Sequence, residues 1–429
     1  MAFPVVLRRA LTAGGIYGSA LLGILASVVA ARELTKLDFS RFALIFAVTA
    51  LLQLFLDVTV EEVVVKYGNR YIAREDWGRF RRLVALALRV KLAGGGIGSL
   101  GVAVAAIASS WIWSIGGLRD AMLVAALVPV LQAPEGMGSA LLLLRNRYDV
   151  RGVLLLWSMA LRLLAVVVGA SFGLVETFVA IVLAQLVSTV TMSAVGIVVL
   201  RRYPHAAPAS LRDDRAAVRS FAVQSTIASG LASLRGLLPT ALVGIVAKPV
   251  QIGYFRIAQA PQTAFASLSA PVRLVLLAEQ TRDIEHGRSD RAYRLLRRYI
   301  AGAVVLALIA VPPLWLFTPT LVRLVYGARY LGAADAVRLM FVAAAIQLVF
   351  GWTKSFPVSI GRPGLRTAGT LLELVVLVPL VLILGRSSGA TGAAAAFVCS
   401  SAVLGAFWTV QLLRLRGGRA ATLAGEATV

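Results

Sequence analysis

Cationic side chains stand inside apolar runs that are long enough to cross a membrane. They are Arg162, Arg235, Arg256 and Lys354. A lysine or arginine at the centre of a membrane span costs about 2.5–3.5 kcal/mol on insertion scales, so each one requires an anion or a water-filled cavity. Guanidinium groups bind phosphate oxygens through planar, forked donors. The pattern predicts a cation-lined cavity for a diphosphate-bearing substrate, with snorkelling or a structural ion pair as the alternatives.

Amide side chains accompany two of these cations at helical spacing. Gln224 lies eleven residues before Arg235 and Gln259 lies three after Arg256, so each pair is predicted to share one helix face. Gln185 begins a polar stripe that continues through residues 188 and 189. Such stripes are typical of helices that line a wet cavity. Arg89, Lys91 and Arg273 are nearer the ends of their runs, where long cationic side chains snorkel to the interface.

Carboxylates are fewer in the apolar runs. Asp57, Glu135 and Glu373 are the candidates for carrying a coupling proton or cation, because an acid inside a membrane is expensive unless it has a function. The alternative is that they pair with the cavity arginines when no substrate is bound.

These residues must be positioned by membrane-spanning helices. The chain has 429 residues, 59% apolar and 15% charged, with a mean hydropathy of +0.84. One globular core cannot bury that excess, so an all-α polytopic membrane protein is predicted and a soluble enzyme is excluded. Twelve spans are predicted, at 12–31, 39–60, 83–108, 121–143, 152–172, 177–200, 218–247, 252–277, 299–317, 335–356, 367–385 and 389–413.

Basic residues sort to one side of these spans. Of the 43 lysines and arginines, 27 fall in segments on the side of the N-terminus and nine on the opposite side. The positive-inside rule therefore predicts that both termini are cytoplasmic. The net charge of +23 is thereby explained without a nucleic-acid partner.

Two halves of the chain align with each other. A shift of 213 residues places 39–45 on 252–258 and brings both long basic loops into register. Six spans per half is an even number, so the repeat is parallel and is expected to enclose a central site. The predicted organisation is two pseudo-symmetric six-helix bundles, 1–200 and 218–429, joined by a cytoplasmic linker at 201–217.

Two stretches carry a family resemblance. Residues 30–44, from Ala30-Ala31-Arg32-Glu33-Leu34 into the second span, resemble the first loop and second helix of the polysaccharide flippases in the multidrug/oligosaccharidyl-lipid/polysaccharide (MOP) exporter superfamily. Residues 326–340 and 360–363 are similar to that family's C-terminal half. The resemblance implies alternating-access flipping of a polyprenyl-phosphate-linked glycan precursor across a bacterial-type cytoplasmic (inner) membrane. Expected partners are that substrate, membrane lipids and other glycan-assembly proteins.

Two other functions remain open. A drug or toxin exporter of the same superfamily would be driven by sodium or protons, but acids are expected to dominate its cavity. A membrane glycan polymerase, ligase or glycosyltransferase would require a large outer loop, and the predicted loops are short. The dinucleotide-like run 96–101 lies inside an apolar span, which favours helix packing. With one cysteine, isolated histidines and no Walker A motif, no cofactor or metal is expected.

Overall fold

The structure is a computed structural model that describes residues 5–56, 60–286, 288–360 and 362–426. The described residues form helices and no strands. The chain divides into two compact units, Met1–Ala241 and Leu242–Val429. The boundary between them falls within a helix, downstream of the predicted linker at 201–217, and the division into bundles at 1–200 and 218–429 stays a prediction.

Eleven helices begin in the first unit: α1 Val5–Glu33, α2 Lys36–Leu56, α3 Val60–Ala73, α4 Trp77–Ile107, α5 Ser109–Ile112, α6 Arg119–Ala125, α7 Leu127–Gln132, α8 Glu135–Leu144, α9 Tyr148–Ala170, α10 Leu174–Arg201 and α11 Arg215–Val246. The second unit adds α12 Pro249–Ala258, α13 Ala260–Glu285, α14 Ser289–Leu316, α15 Thr318–Tyr326, α16 Ala334–Val349, α17 Phe356–Ser359 and α18 Pro363–Glu426, with 3-10 helices at Ala328–Ala333 and Gly351–Lys354.

Among the described residues, nine helical stretches are long and apolar enough to cross a membrane, or ten if the bent α11 is one span. One of the nine, Gly364–Arg414, is 51 residues long and contains both of the last two predicted spans. It is interrupted at Gly389, whose φ of +58° is accessible to glycine at little cost. The chain is therefore a multi-pass helical membrane protein, and the count of twelve spans stays a prediction.

Glycines bring helices of the first unit into close contact. A Cβ at Gly152 of α9 would lie 2.8 Å from the carbonyl oxygen of Leu11, so α1 and α9 touch backbone to backbone. A Cβ at Gly95 of α4 would lie 2.8 Å from the carbonyl oxygen of Pro129 on α7. The dinucleotide-like run is helical throughout, as expected, and Gly95 makes this close approach just before it.

The predicted linker, residues 201–217, contacts α3 and α4 of the first unit. Arg79 at the start of α4 forms an ion pair of 2.7 Å with Asp213, and the hydroxyl of Tyr71 on α3 donates to Asp214 at 2.8 Å. The amide of Ala209 donates to the carbonyl of Gly78 at 3.0 Å. These contacts place the chain before α11 against the loop that joins α3 and α4.

Candidate functional site

A chain of polar side chains connects three helices of the first unit. Arg162 on α9 donates to the Gln185 side-chain oxygen on α10 at 3.0 Å. The amide nitrogen of Gln185 donates to Glu135 Oε2, at the start of α8, at 2.7 Å. Ser188 on α10 donates to the other oxygen of Glu135 at 3.2 Å. The positive charge of Arg162 is thus linked through one amide to a carboxylate.

Glu135 also faces a polar cavity of about 170 Å³ in the same unit. Lys91 on α4 lines that cavity, and its ammonium lies 3.4 Å from Glu61 Oε1 on α3. Lys91 is only 7% exposed. The expectation that Lys91 snorkels is wrong. The face of α4 that carries Lys91 packs towards α3 and α8, and Glu61 on α3 is its anionic partner inside the unit.

The remaining polar groups of the cavity are paired across helices. Gln53 on α2 donates to Gln132 on α7 at 3.2 Å, and Arg151 on α9 donates to the hydroxyl of Ser139 on α8 at 2.7 Å. Buried polar groups require such partners. The charged side chains lining the cavity are two cations and two carboxylates, so the cavity is balanced in charge.

Gln224 and Arg235 both belong to α11 but do not lie on one straight helix. The axis of α11 bends by 49° between Leu231 and Ser233, which separates the two residues. Gln224 is exposed and donates to Ser220 one turn earlier at 3.2 Å. The two residues therefore lie on different arms of the bent helix, and their shared face stays a prediction.

The second unit holds the other predicted site residues. Arg256 on α12 is exposed, and Gln259, at the junction of α12 and α13, is 6% exposed. Lys354 is exposed at the end of a 3-10 helix, after α16 has ended at Val349. Glu373 on α18 is 2% exposed. Asp57 lies outside the described residues.

The structure therefore brings together Arg162, Gln185 and Glu135, and no other described candidate is hydrogen-bonded to these three. Sequence reasoning missed the Lys91–Glu61 pair and the Gln53–Gln132 contact. It also missed a polar chain of the second unit, in which Gln262 donates to Gln347 at 3.0 Å. The available signal was an amide or a charge near the centre of each apolar run, but spacing along one helix does not identify a partner on another.

No group of three or more histidine, cysteine, aspartate or glutamate side chains that could hold a metal ion occurs in the part of the chain that the structure describes.

Several solved transporters have a similar fold. A lipid II flippase MurJ in an inward closed conformation superposes with a TM-score of 0.75 at 11% identity, covering 94% of this chain and 87% of that one. An inward-facing multidrug resistance MATE transporter of the MOP superfamily gives 0.74 at 14% identity, covering 93% and 96%. A MOP transporter from Pyrococcus furiosus gives 0.60 at 14% identity, covering 96% and 95%. These likenesses establish the fold.

Sequence comparison provides the family. No curated protein sequence matches the chain. The family model described as "Polysaccharide biosynthesis protein" matches residues 29–335, which is more than half of the 429 residues. The match extends from the end of α1 into the start of α16 and so includes the polar network and its cavity. The chain belongs to this polysaccharide biosynthesis protein family, and its fold is that of the MOP superfamily transporters.

Proposed function

We propose that the protein is a flippase that moves a polyprenyl-diphosphate-linked glycan precursor across the membrane by alternating access. The observation that carries the proposal is the family match over 29–335 in a chain with a MOP transporter fold. The lipid tail of such a substrate stays in the bilayer while its diphosphate requires cationic partners. Outward movement of two negative charges is favoured by an inside-negative potential, by about 2.3 kcal/mol per charge per 100 mV.

Arg256 is the leading candidate for contact with the diphosphate. Its side chain is exposed and makes no hydrogen bond or ion pair with the residues that the structure describes, and the phenol of Tyr326 on α15 lies close enough to interact with it electrostatically. Arg162, in contrast, already donates to Gln185, which is tied to Glu135. A substrate phosphate would have to displace those partners at Arg162 but not at Arg256. Arg235, Lys354, Gln224 and Gln259 are retained as further substrate contacts.

Glu135 is the leading candidate for ion coupling. Its two oxygens accept from Gln185 and Ser188, and the side chain lines the polar cavity. Protonation would turn one acceptor oxygen into a donor and weaken the link from Glu135 through Gln185 to Arg162. The position of Arg162 would then depend on the charge of Glu135. Glu373 and Asp57 remain coupling candidates.

The membrane and the partners are part of the same proposal. The distribution of basic residues supports the inner membrane with both termini in the cytoplasm. Other glycan-assembly proteins, which make the precursor and consume it, are the expected partners. The protein is a transporter and not an enzyme.

Cation-coupled export of a small drug or toxin is the second candidate. It is favoured by the TM-score of 0.74 with a MATE transporter and by the balanced charge of the cavity in the first unit. A cavity containing two carboxylates suits a cationic ligand better than a cavity lined by arginine alone.

Translocation in proteoliposomes distinguishes the two functions. Labelled undecaprenyl-diphosphate oligosaccharide is the first substrate and a cationic dye with a proton or sodium gradient is the second. We expect transport of the glycan lipid, with an apparent KM raised about tenfold or more in Arg256→Gln, because a charge-assisted hydrogen bond to phosphate is lost. Arg323→Gln, which changes another exposed arginine of the same unit, is the matched control.

Dye efflux without glycan transport would overturn the flippase proposal and support the exporter. Equal KM values for Arg256→Gln and Arg323→Gln would refute the role of Arg256 while leaving the transported substrate established.

A further inference from the structure

A second cavity, larger than the first, lies where α8, α9 and α10 reach the basic side of the membrane. Its volume is about 460 Å³. Three arginines line it: Arg145 follows α8, Arg147 precedes α9 and Arg202 follows α10. The rest of the lining is leucine, alanine and valine, including Val195 and Val199. The lining contains no acidic side chain, so the cavity combines positive charge with apolar walls.

Two of the arginines are held in position by their surroundings. Arg145 donates to the carbonyl of Arg202 at 2.6 Å, and its guanidinium lies 4.1 Å from the centre of the Tyr203 ring. Arg147 donates to Asp149 at 3.1 Å. Each guanidinium carries five N–H donors, so these contacts leave donors available on both side chains.

Arg202 is exposed, and its side chain makes no hydrogen bond or ion pair with the described residues. Asp149 is the one carboxylate paired to the three arginines, which leaves an excess of positive charge at this end of the cavity. An anion bound here would receive charge-assisted hydrogen bonds.

The apolar walls identify the rest of the occupant. Val198, which also lines the cavity, is 51% exposed on the outer face of α10, within a stretch predicted to cross the membrane. The cavity therefore adjoins the surface that contacts lipid tails. Valine walls would not stabilise a free inorganic anion. An anionic lipid would fit the whole cavity, because its headgroup would contact the arginines and its acyl chain the apolar walls.

We propose that this cavity is a binding site for an anionic phospholipid of the adjacent leaflet, such as phosphatidylglycerol. Its phosphate lies among Arg145, Arg147 and Arg202, and the start of one acyl chain lies along Val195 and Val199. The site is separate from the polar cavity that contains Glu135. The proposal does not depend on which substrate the protein transports.

Native mass spectrometry of the full chain in detergent, titrated with phosphatidylglycerol or phosphatidylcholine, tests the site. Arg202→Gln and Arg147→Gln are the test variants. Arg201→Gln is the matched control, because it removes the same charge from the adjacent residue, which does not line the cavity. We expect one tight phosphatidylglycerol site whose Kd rises about fivefold in each test variant, since a basic residue at a membrane surface contributes that much.

The control should bind like the wild-type protein, and phosphatidylcholine should bind at least fivefold more weakly. Equal weakening by Arg201→Gln and Arg202→Gln would overturn the proposal in favour of diffuse attraction to a basic surface. Displacement of the lipid by millimolar inorganic phosphate would overturn it in favour of a simple anion site. Tighter binding of undecaprenyl phosphate than of phosphatidylglycerol would reassign the cavity to the polyprenyl carrier.

Discussion

Glutamine in place of Glu135 keeps the shape of the side chain and removes its charge. The wild-type carboxylate accepts two hydrogen bonds, from Gln185 at 2.7 Å and from Ser188 at 3.2 Å. Hydrogen bonds to a charged group contribute about 1.5–3 kcal/mol and neutral ones about 0.5–1.5. Each bond should therefore lose about 1 kcal/mol. Since Glu135 is half-buried and water offsets part of this loss, we expect a total destabilisation of about 1–2 kcal/mol.

The apparent Tm of the detergent-solubilised protein measures this loss. For a unit of this size, 1 kcal/mol corresponds to about 2–4 °C, so Glu135→Gln should lower the Tm by about 2–8 °C. Glu33→Gln removes an exposed carboxylate at the end of α1 and should leave the Tm within about 1 °C of wild type.

A double-mutant cycle decides whether Glu135 acts on Arg162. If the two are coupled through Gln185, the variant that combines Glu135→Gln with Arg162→Gln should lose less than the sum of the single losses. We expect the difference to be about 1 kcal/mol, because residues in one hydrogen-bond network are not independent. Additive Tm changes would refute the claim that the carboxylate compensates the arginine, even if both single variants were destabilised.

Three other substitutions test contacts in the first unit. Gly15→Ala forces a methyl group onto the Gly152 backbone and should lower the apparent Tm. In Gly14→Ala the methyl group projects into open space, and the Tm should not fall because alanine favours a helix over glycine by about 1 kcal/mol. Equal Tm values for the two variants would contradict the close packing of α1 on α9. Lys91→Met removes the buried ammonium that lies 3.4 Å from Glu61 and should lower the Tm by more than Arg89→Met, which alters an exposed side chain of the same helix. The reverse order would restore the snorkelling interpretation of Lys91. Tyr71→Phe removes a hydrogen bond to the 201–217 segment, and trypsin should cleave that segment about fivefold faster. Burial, and then this hydrogen bond to a carboxylate, raise the pKa of Tyr71 above its usual value. An unfolded tyrosine ionises near pH 10, so the stabilisation that Tyr71 contributes is complete below about pH 10 and is lost as the pH rises further. If the cleavage rate changed neither in Tyr71→Phe nor above pH 10, the hydrogen bond from Tyr71 would not hold the 201–217 segment.

Hydropathy and charge were sufficient for the fold class. Apolar runs of spanning length, separated by arginine-rich loops, predicted a helical multi-pass protein, and the structure and its MOP neighbours confirm it. The boundaries of single elements were less predictable. The predicted span 121–143 is divided into α6, α7 and α8, and 252–277 is divided at Gln259. Prolines and local packing interrupt these helices without changing their hydropathy, so the interruptions leave no signal in an apolar window.

The polar network was predictable residue by residue but not as pairs. Gln185, Arg162 and Glu135 were each conspicuous in an apolar run. Their connection depends on how α8, α9 and α10 pack, since 23 residues separate Arg162 from Gln185 and 50 separate Gln185 from Glu135. Lys91 shows the limit of reasoning from the sequence. Its position near the end of an apolar run suggested snorkelling, and nothing in that position indicated that Glu61 on a neighbouring helix would pair with it.

The partners of these cations change how the basic excess should be understood. Arg162, Lys91 and Arg151 each have an acceptor inside the first unit, so an anionic substrate would have to compete with that acceptor. Removing one partner from such a pair is expensive, which makes the pairs suited to holding helices or responding to a change of charge. Arg256 and Arg202 are exposed and make no such contact with described residues. Anions should therefore be recognised first at these exposed arginines, and Arg162, Lys91 and Arg151 should govern stability and coupling.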